Sequence, residues 1–279
     1  VIIFMIESKL KIIAHELRKY IFQVVSKRGG HLSTAFSSVD ILTTLYYSEI
    51  LNINNKNYKN PNRNFFILSK GHGETLLYAI LVKKKIIPSD WFENHYRHGL
   101  NKLGGHIDIQ NPGIEATSGA LGHGLGIGAG IALGKKLQKN KKSVFVLLGD
   151  AECSEGSIWE AALFAKQYSL DNLIAIVDEN KIGATDFTKN FTSVDPIDQK
   201  FLSFGWEVKK CNGHSIKEIY KILSNFSKSK NKKPKALICN TTKGKGLSFL
   251  ENDPSWHSKG LSKIDIKKGF KELGIENAK

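Results

Sequence analysis

Cysteine is scarce in this chain: Cys153, Cys211 and Cys239 are the only three among 279 residues. Their odd number and wide spacing exclude a disulfide framework and a zinc knuckle, and they suit a reducing, cytoplasmic setting. Acidic residues are also under-represented, with 26 Asp+Glu against 41 Lys+Arg, for a formal charge of +15. That excess attracts polyanions in general, including phosphorylated small molecules. The densest basic run, Lys228, Lys230, Lys232, Lys233 and Lys235, lacks the aromatic residues on which bases stack, so it reads as a solvated loop and predicts no nucleic-acid partner. Long apolar stretches are missing as well. The apolar opening, residues 1–6, is broken by Glu7 and Lys9, well short of the ~20 residues that span a bilayer, and predicts neither a membrane anchor nor a secretion signal. The few prolines mark turns, and no repeat or composition break divides the sequence. The expectation is a single domain over residues 1–279, with a helical N-terminal region and a tail that frays after about Leu261.

What is present is ordinary for a folded soluble chain, with 41% hydrophobic and 24% charged residues. Leu10, Ile13, Leu17, Ile21, Val24 and Val25 recur at helical spacing and predict an amphipathic helix over 8–27 that stops at Gly29-Gly30. A second helix is predicted over 38–50, a loop over 52–64, a strand over 65–68, and helices near 73–84 and 89–97. Between Gly119 and Gly134 glycines stand among Leu, Ile and Ala at a density that implies close backbone packing. Continuous apolar runs predict strands over 143–148, 172–177 and 236–241, and a less apolar one over 206–210, with helices over 155–168 and 215–226. Apolar strands separated by helices predict an α/β fold whose mostly parallel sheet is covered by helices on both faces.

The most specific local feature is the run Gly149-Asp150-Ala151-Glu152-Cys153-Ser154-Glu155-Gly156, where a strand gives way to a helix. Ligands of open parallel sheets bind at the carboxyl ends of strands, and a helix N-terminus there offers free N–H groups to phosphate oxygens. Thirty residues on, Asp178-Glu179-Asn180-Lys181-Ile182 brings a second oxygen-bearing side chain to the end of the next strand. If the strands are neighbours, Asp150 and Asn180 can share one hard cation completed by phosphate oxygens, water and a backbone carbonyl. Asp150 taken alone reads equally well as a helix cap.

Together these parts resemble the thiamine diphosphate motif of transketolases and their relatives. The resemblance runs over residues 8–260 and includes Gly30-His31, Ser69-Lys70-Gly71-His72-Gly73, Gly104-Gly105-His106, Gly119-Ala120-Leu121-Gly122-His123-Gly124 and Trp256-His257 in the family's order. It is nearest to the N-terminal halves of transketolases split into two polypeptides, and it implies a thiamine diphosphate-binding fold.

Carried over residue by residue, the resemblance implies that Asp150 and Asn180 hold Mg²⁺ (or Ca²⁺ or Mn²⁺) by their side chains and Ile182 by its carbonyl. Gly149 and Ala151 lie at the diphosphate, and Gly119, Ala120 and Leu121 at the thiazolium and aminopyrimidine. Glu155 belongs to an acidic network that couples two subunits' sites. His31, His106 and His257 face a sugar, His72 lies on the diphosphate or substrate side, and His257 contributes to cofactor binding as well. The implied activity is transfer of a two-carbon ketol unit from a ketose, phosphorylated in this reading, to an aldose. The glutamate that protonates the aminopyrimidine lies in the family beyond the equivalent of residue 279, which implies a C-terminal partner subunit in an α2β2 assembly. The glycine-rich segment 119–134 is its candidate contact surface.

Two departures stand out: Ala151 occupies the usual third glycine of the motif, and Glu179-Asn180 replaces the common Asn-Asn or Asp-Asn pair. His15, His95, His98 and His214 read as structural or surface histidines. His123 stands where the family often has Gln. Lys243 is left between a cofactor contact and a basic surface turn. Another thiamine diphosphate enzyme, such as a 2-oxo-acid dehydrogenase component or a deoxyxylulose-phosphate-type synthase, is the alternative, along with a non-catalytic basic binding protein.

Overall fold

A computed structural model of the chain describes residues 2–98, 103–229 and 231–276. The chain opens with helix α1 (Ile2–Arg28), followed by the short helices α2 (Leu32–Ser37) and α3 (Val39–Tyr47). Strand β1 (Phe65–Leu68) leads into α4 (Glu74–Lys83) and α5 (Ser89–Glu93). The glycine-rich helix α6 (Gly124–Leu137) then precedes β2 (Val144–Gly149), α7 (Gly156–Gln167) and β3 (Leu173–Glu179). Helix α8 (Ile197–Ser203), β4 (Glu207–Asn212), α9 (Ile216–Lys228), β5 (Lys235–Asn240) and α10 (Lys263–Glu272) follow.

The strands form one parallel sheet in the order β1-β2-β3-β5-β4. Alternate residues of each strand feed opposite cores, as the two-residue period of a strand requires. Phe145, Leu147, Ile174, Ile176 and Leu237 pack with Leu17, Ile21, Leu42 and Leu223 on one face. Val144, Val146, Ala175, Val177 and Ile238 pack with Leu125, Ile158, Ala162 and Phe201 on the other. Helices therefore cover both faces, and the central strands are buried throughout. Among the described residues no helix is long and apolar enough to cross a membrane.

Three local expectations need correction. The helix predicted over 38–50 is present as α3 but stops at Tyr47, and an unexpected short helix, α2, precedes it; at their join Ser37 and Ser38 turn their hydroxyls inward to donate to Asp178 Oδ2 at 2.5 and 2.9 Å. The predicted fraying after Leu261 does not occur in the described tail. There α10 starts with a capping box between Ser262 and Asp265, sets Gly269 against the Phe22 ring, and is followed by buried Leu273 and Ile275; residues 277–279 lie outside the described residues. Lys235 of the basic run is buried, with Nζ donating to the carbonyls of Asp171 and Lys233 at 2.7 and 3.1 Å; Lys230 of the same run lies outside the described residues.

The glycine-rich segment divides in two. A methyl on Gly128 would stand 2.5 Å from Val146 Cγ2, and one on Gly124 would run into Ser69, so these positions let α6 lie close against the sheet and the end of β1. Gly126, Gly130 and Gly134 face open space.

Candidate active site

Four strands deliver polar residues to the carboxyl edge of the sheet: Ser69 to His72 after β1, Asp150 after β2, Asn180 after β3, and Thr241 to Lys243 after β5. At the centre lies Asp178, fully buried, which accepts from the Lys70 ammonium and from the hydroxyls of Ser37, Ser38 and Thr241. Burial opposes its charge, but Lys70 and the hydroxyl donors outweigh burial and hold the carboxyl below the usual range. Asp178 is thereby spent on bracing α2, α3 and the ends of β1 and β5.

Asp150 differs. Its Oδ1 accepts from the Ala151 N–H at 2.8 Å and its Oδ2 from the Lys181 N–H at 2.5 Å, and no side-chain cation bonds to it among the described residues. Burial, and then the charge of Asp178, pushes its carboxyl up to about 7. Asn180 donates to Asp178 at 3.4 Å and turns Oδ1 toward the Ile182 N–H at 3.1 Å. The Ile182 and Gly183 carbonyls accept from Lys243 Nζ at 3.3 and 2.8 Å. A buried carboxylate short of a counter-cation, an amide oxygen and a backbone carbonyl form an all-oxygen donor set, which fits a hard divalent cation.

Lys243 is not on the surface: it is buried, pushed down to about 8 by burial and then by Lys70, and it lies 3.0 Å from His257 Nδ1. An ammonium only donates, so that nitrogen accepts and His257 carries its proton on Nε2. The turn holding Lys243 is braced from behind. Thr242 N–H donates to His214 Nε2 at 2.9 Å, His214 Nδ1 pairs with Asp40 at 2.8 Å, and Asp40 takes a two-pronged bond from Arg18. The structural reading of His214 fits this placement. His15, His95 and His98 are exposed, as is His123 just before α6.

The four histidines singled out by sequence converge. The His31 ring lies 6.0 Å from His72, 5.8 Å from His106 and 6.0 Å from His257, and His72 and His257 are 5.1 Å apart. Gly119 abuts the His106 ring, and Gly71 packs on Ser118 and the Gly119 N–H, which sets the 119–121 segment beside this cluster. Leu121 is half-buried and Ala120 exposed. A cleft of about 290 Å³, lined by Arg28, His31, Arg97, Trp256 and Lys259 among others, opens next to the cluster.

Glu155 is exposed in the isolated chain, against Gly122. The buried acid of that run is Glu152, which accepts from the Ser69 hydroxyl and from the Gly122 and Gly149 N–H groups at 3.0 Å, tying β1, the glycine-rich segment and β2 together.

Residues 11–279 match the family described as transketolase, thiamine diphosphate binding domain. The chain belongs to the transketolase family. It is similar to a subunit of the apulose-4-phosphate transketolase of Actinobacillus succinogenes, at 42% identity over 272 residues covering 97% of this chain and 96% of that one. It is also similar to a subunit of the 6-deoxy-6-sulfo-D-fructose transketolase of Clostridium sp. strain MSTE9, at 34% identity covering 95% of this chain and 96% of that one. Among solved structures, the transketolase of Campylobacter jejuni matches with a TM-score of 0.85 at 29% identity, covering 94% of this chain and 42% of that one. The chain thus spans about two-fifths of that single-chain transketolase and nearly the whole of the relatives named as subunits. Membership places it among transferases of a two-carbon ketol unit, as an N-terminal subunit, and the readings as a dehydrogenase component, a synthase or a basic binding protein are not favoured.

Sequence reasoning missed Glu74, Tyr96, Asp178 and Glu152, left Lys70 without a role and left Lys243 undecided between a cofactor contact and a surface turn. Lys70 and Asp178 stand inside the quoted motifs, and a lysine and an aspartate beside apolar strands signal a buried pair. Glu74 and Tyr96 carry no such signal.

Proposed function

We propose that this chain is the diphosphate-binding half of a ketol transferase whose active site is completed by a C-terminal partner subunit in an α2β2 assembly. The observation that carries the reading is the unbroken path from the histidine cluster through His257 and Lys243 to the Ile182 carbonyl, beside Asp150 and Asn180. In this reading a sugar-binding end and a cation-binding end lie at the two ends of that path.

In this reading Asp150, Asn180 and the Ile182 carbonyl hold Mg²⁺, or Ca²⁺ or Mn²⁺ in its place, and the backbone at Gly149 and Ala151 meets the diphosphate. Thiamine diphosphate, when bound, supplies the nucleophilic carbon that lets a ketose give up two carbons as a carbanion equivalent. Gly119, Ala120 and Leu121 line its ring end. His31, His72, His106 and His257 orient sugar hydroxyls, with His31 and His106 carrying protons and His72 and His257, which burial pushes down to about 2 and about 4, acting as neutral hydrogen-bonding groups. Glu155, exposed in the lone chain, faces the partner and joins the two subunits' sites. The substrates are a ketose and an aldose, phosphorylated in keeping with the basic lining of the cleft, and the enzyme acts in the cytoplasm.

Asp150→Ala in the assembled enzyme is expected to weaken thiamine diphosphate binding in Mg²⁺ by tenfold or more while the circular-dichroism spectrum stays that of the parent. Titration calorimetry measures this directly, and unchanged affinity removes Asp150 from the cation site.

A further inference from the structure

The side chain of Glu74, at the first turn of α4, is fully buried. Its Oε1 meets His31 Nδ1 at 3.1 Å and accepts from the Tyr96 hydroxyl at 2.6 Å. Its Oε2 has no hydrogen-bond partner among the described residues. A buried carboxylate is costly unless paired, and here its pairing is directed at one catalytic-site histidine, with the N-terminus of α4 adding favourable partial charge. Burial, and then Glu74 itself, pushes the Tyr96 phenol far up, so Tyr96 remains a donor throughout the physiological range. The arrangement is held open for this purpose at Gly30. With φ +137°, Gly30 lies where a Cβ would stand 2.7 Å from the Tyr96 oxygen and 3.1 Å from Thr75 Cγ2, so only glycine lets the phenol reach the carboxylate beside His31.

We propose that Glu74 is the positioning residue of His31, with Tyr96 fixing Glu74 in turn. A carboxylate on Nδ1 keeps the proton on that nitrogen and leaves Nε2, the nitrogen not held by Glu74, with its lone pair free. When Nε2 takes the proton of a substrate hydroxyl, the O–H electron pair stays on oxygen and the ring becomes an imidazolium, whose charge Glu74 balances at Nδ1. The same logic orients histidines in other proton-transfer sites. The charged and titratable groups around His31 are Glu74 from α4 and Tyr96 bonded to it, His72 after β1, His106 from the loop before α6, His257 from the turn before α10, and the cations Arg28, Arg97 and Lys259, which line the same cleft. Glu74 is the only carboxylate bonded to His31 among the described residues.

This inference rests on the reading of His31 as a sugar-facing proton carrier, and a double-mutant cycle in the assembled enzyme separates the two. His31→Ala, Glu74→Gln and the double variant are compared for kcat and KM with a ketose donor, and for thiamine diphosphate affinity. The expected result is a ten- to hundredfold fall in kcat for Glu74→Gln with cofactor affinity unchanged, and no further fall when it is added to His31→Ala. A wild-type rate for His31→Ala removes His31 from the reaction and the proposal with it. A strong His31→Ala defect with Glu74→Gln either silent or fully additive overturns the positioning role alone. Should Glu74→Gln not assemble, Tyr96→Phe carries the same test, with a loss in kcat that vanishes in the His31→Ala background.

Discussion

His72 is mostly buried between His31 and His257 and close to Lys70, and burial first and the Lys70 charge second push its imidazole down to about 2 from an ordinary 6.5. In the fold it therefore stays neutral at any moderate pH, which suits an acceptor or an uncharged donor and not an anion clamp. The depressed value also has a consequence for stability. Above pH 6.5 neither state binds the proton; below it the unfolded chain does and the native chain does not, so the stabilisation present above 6.5 is lost as pH falls toward about 2. By pH 5 the loss amounts to about 2 kcal/mol, from 1.4 kcal/mol per unit. Urea unfolding at pH 7 and pH 5 is expected to show His72→Asn losing about 2 kcal/mol less than the parent chain, and equal losses rule out a buried neutral His72. At this scale the histidines were legible because each follows a Gly or Trp in a fixed order along the chain. Their supports were not. Nothing in Glu74 or Tyr96 as residue types separates a buried pair from two surface polar groups, and of Glu152 and Glu155 only the fold decides which points inward.

Elements were easier to read where burial is two-sided. The runs that became β2 and β3 are apolar at nearly every position because helices cover both faces, so composition alone marks them. Helix α10 escaped notice for the opposite reason: it is rich in lysine, its glycine is its main buried residue, and its start depends on the Ser262–Asp265 capping box. Helix α2 escaped notice because it is a short, fully buried run whose last residue, Ser37, is tied to a distant acid, Asp178. Helix α6 offers a test of how its glycines divide. On Gly128 a methyl must push against Val146 on β2, and such overpacking costs about 1–3 kcal/mol. On Gly126 it meets nothing, and the gain in helix propensity is about 1 kcal/mol at most. Thermal unfolding of Gly128→Ala and Gly126→Ala is expected to move the midpoint in opposite directions. A shift of the same sign in both contradicts the face assignment.

For the molecule as a whole, the open glycine positions on α6 continue into an apolar surface: Ile127 and Leu137 on α6, and Leu163, Phe164 and then Tyr168 on and just after α7, are exposed large hydrophobics. Half of the ten large exposed apolar side chains among the described residues thus fall on these two neighbouring helices or directly after α7, which is more clustering than a surface meant for water ordinarily carries. Small residues beside large apolar ones let another chain approach closely, and Glu155 at the head of α7 lies exposed at the same layer. The +15 charge works against association with further copies of a basic chain and in favour of a partner that is less basic. In the proposed assembly the α6–α7 face is where the C-terminal subunit would dock. Leu163, 55% exposed, can take a charge without disturbing the core, so Leu163→Asp is expected to leave the far-ultraviolet spectrum intact while cutting recovery of the partner with the tagged chain by about tenfold, on the order of 1.4 kcal/mol. Recovery equal to that of the parent chain would move the seam elsewhere on the surface, whereas a loss that parallels the loss of ketol transfer ties this face to completion of the active site.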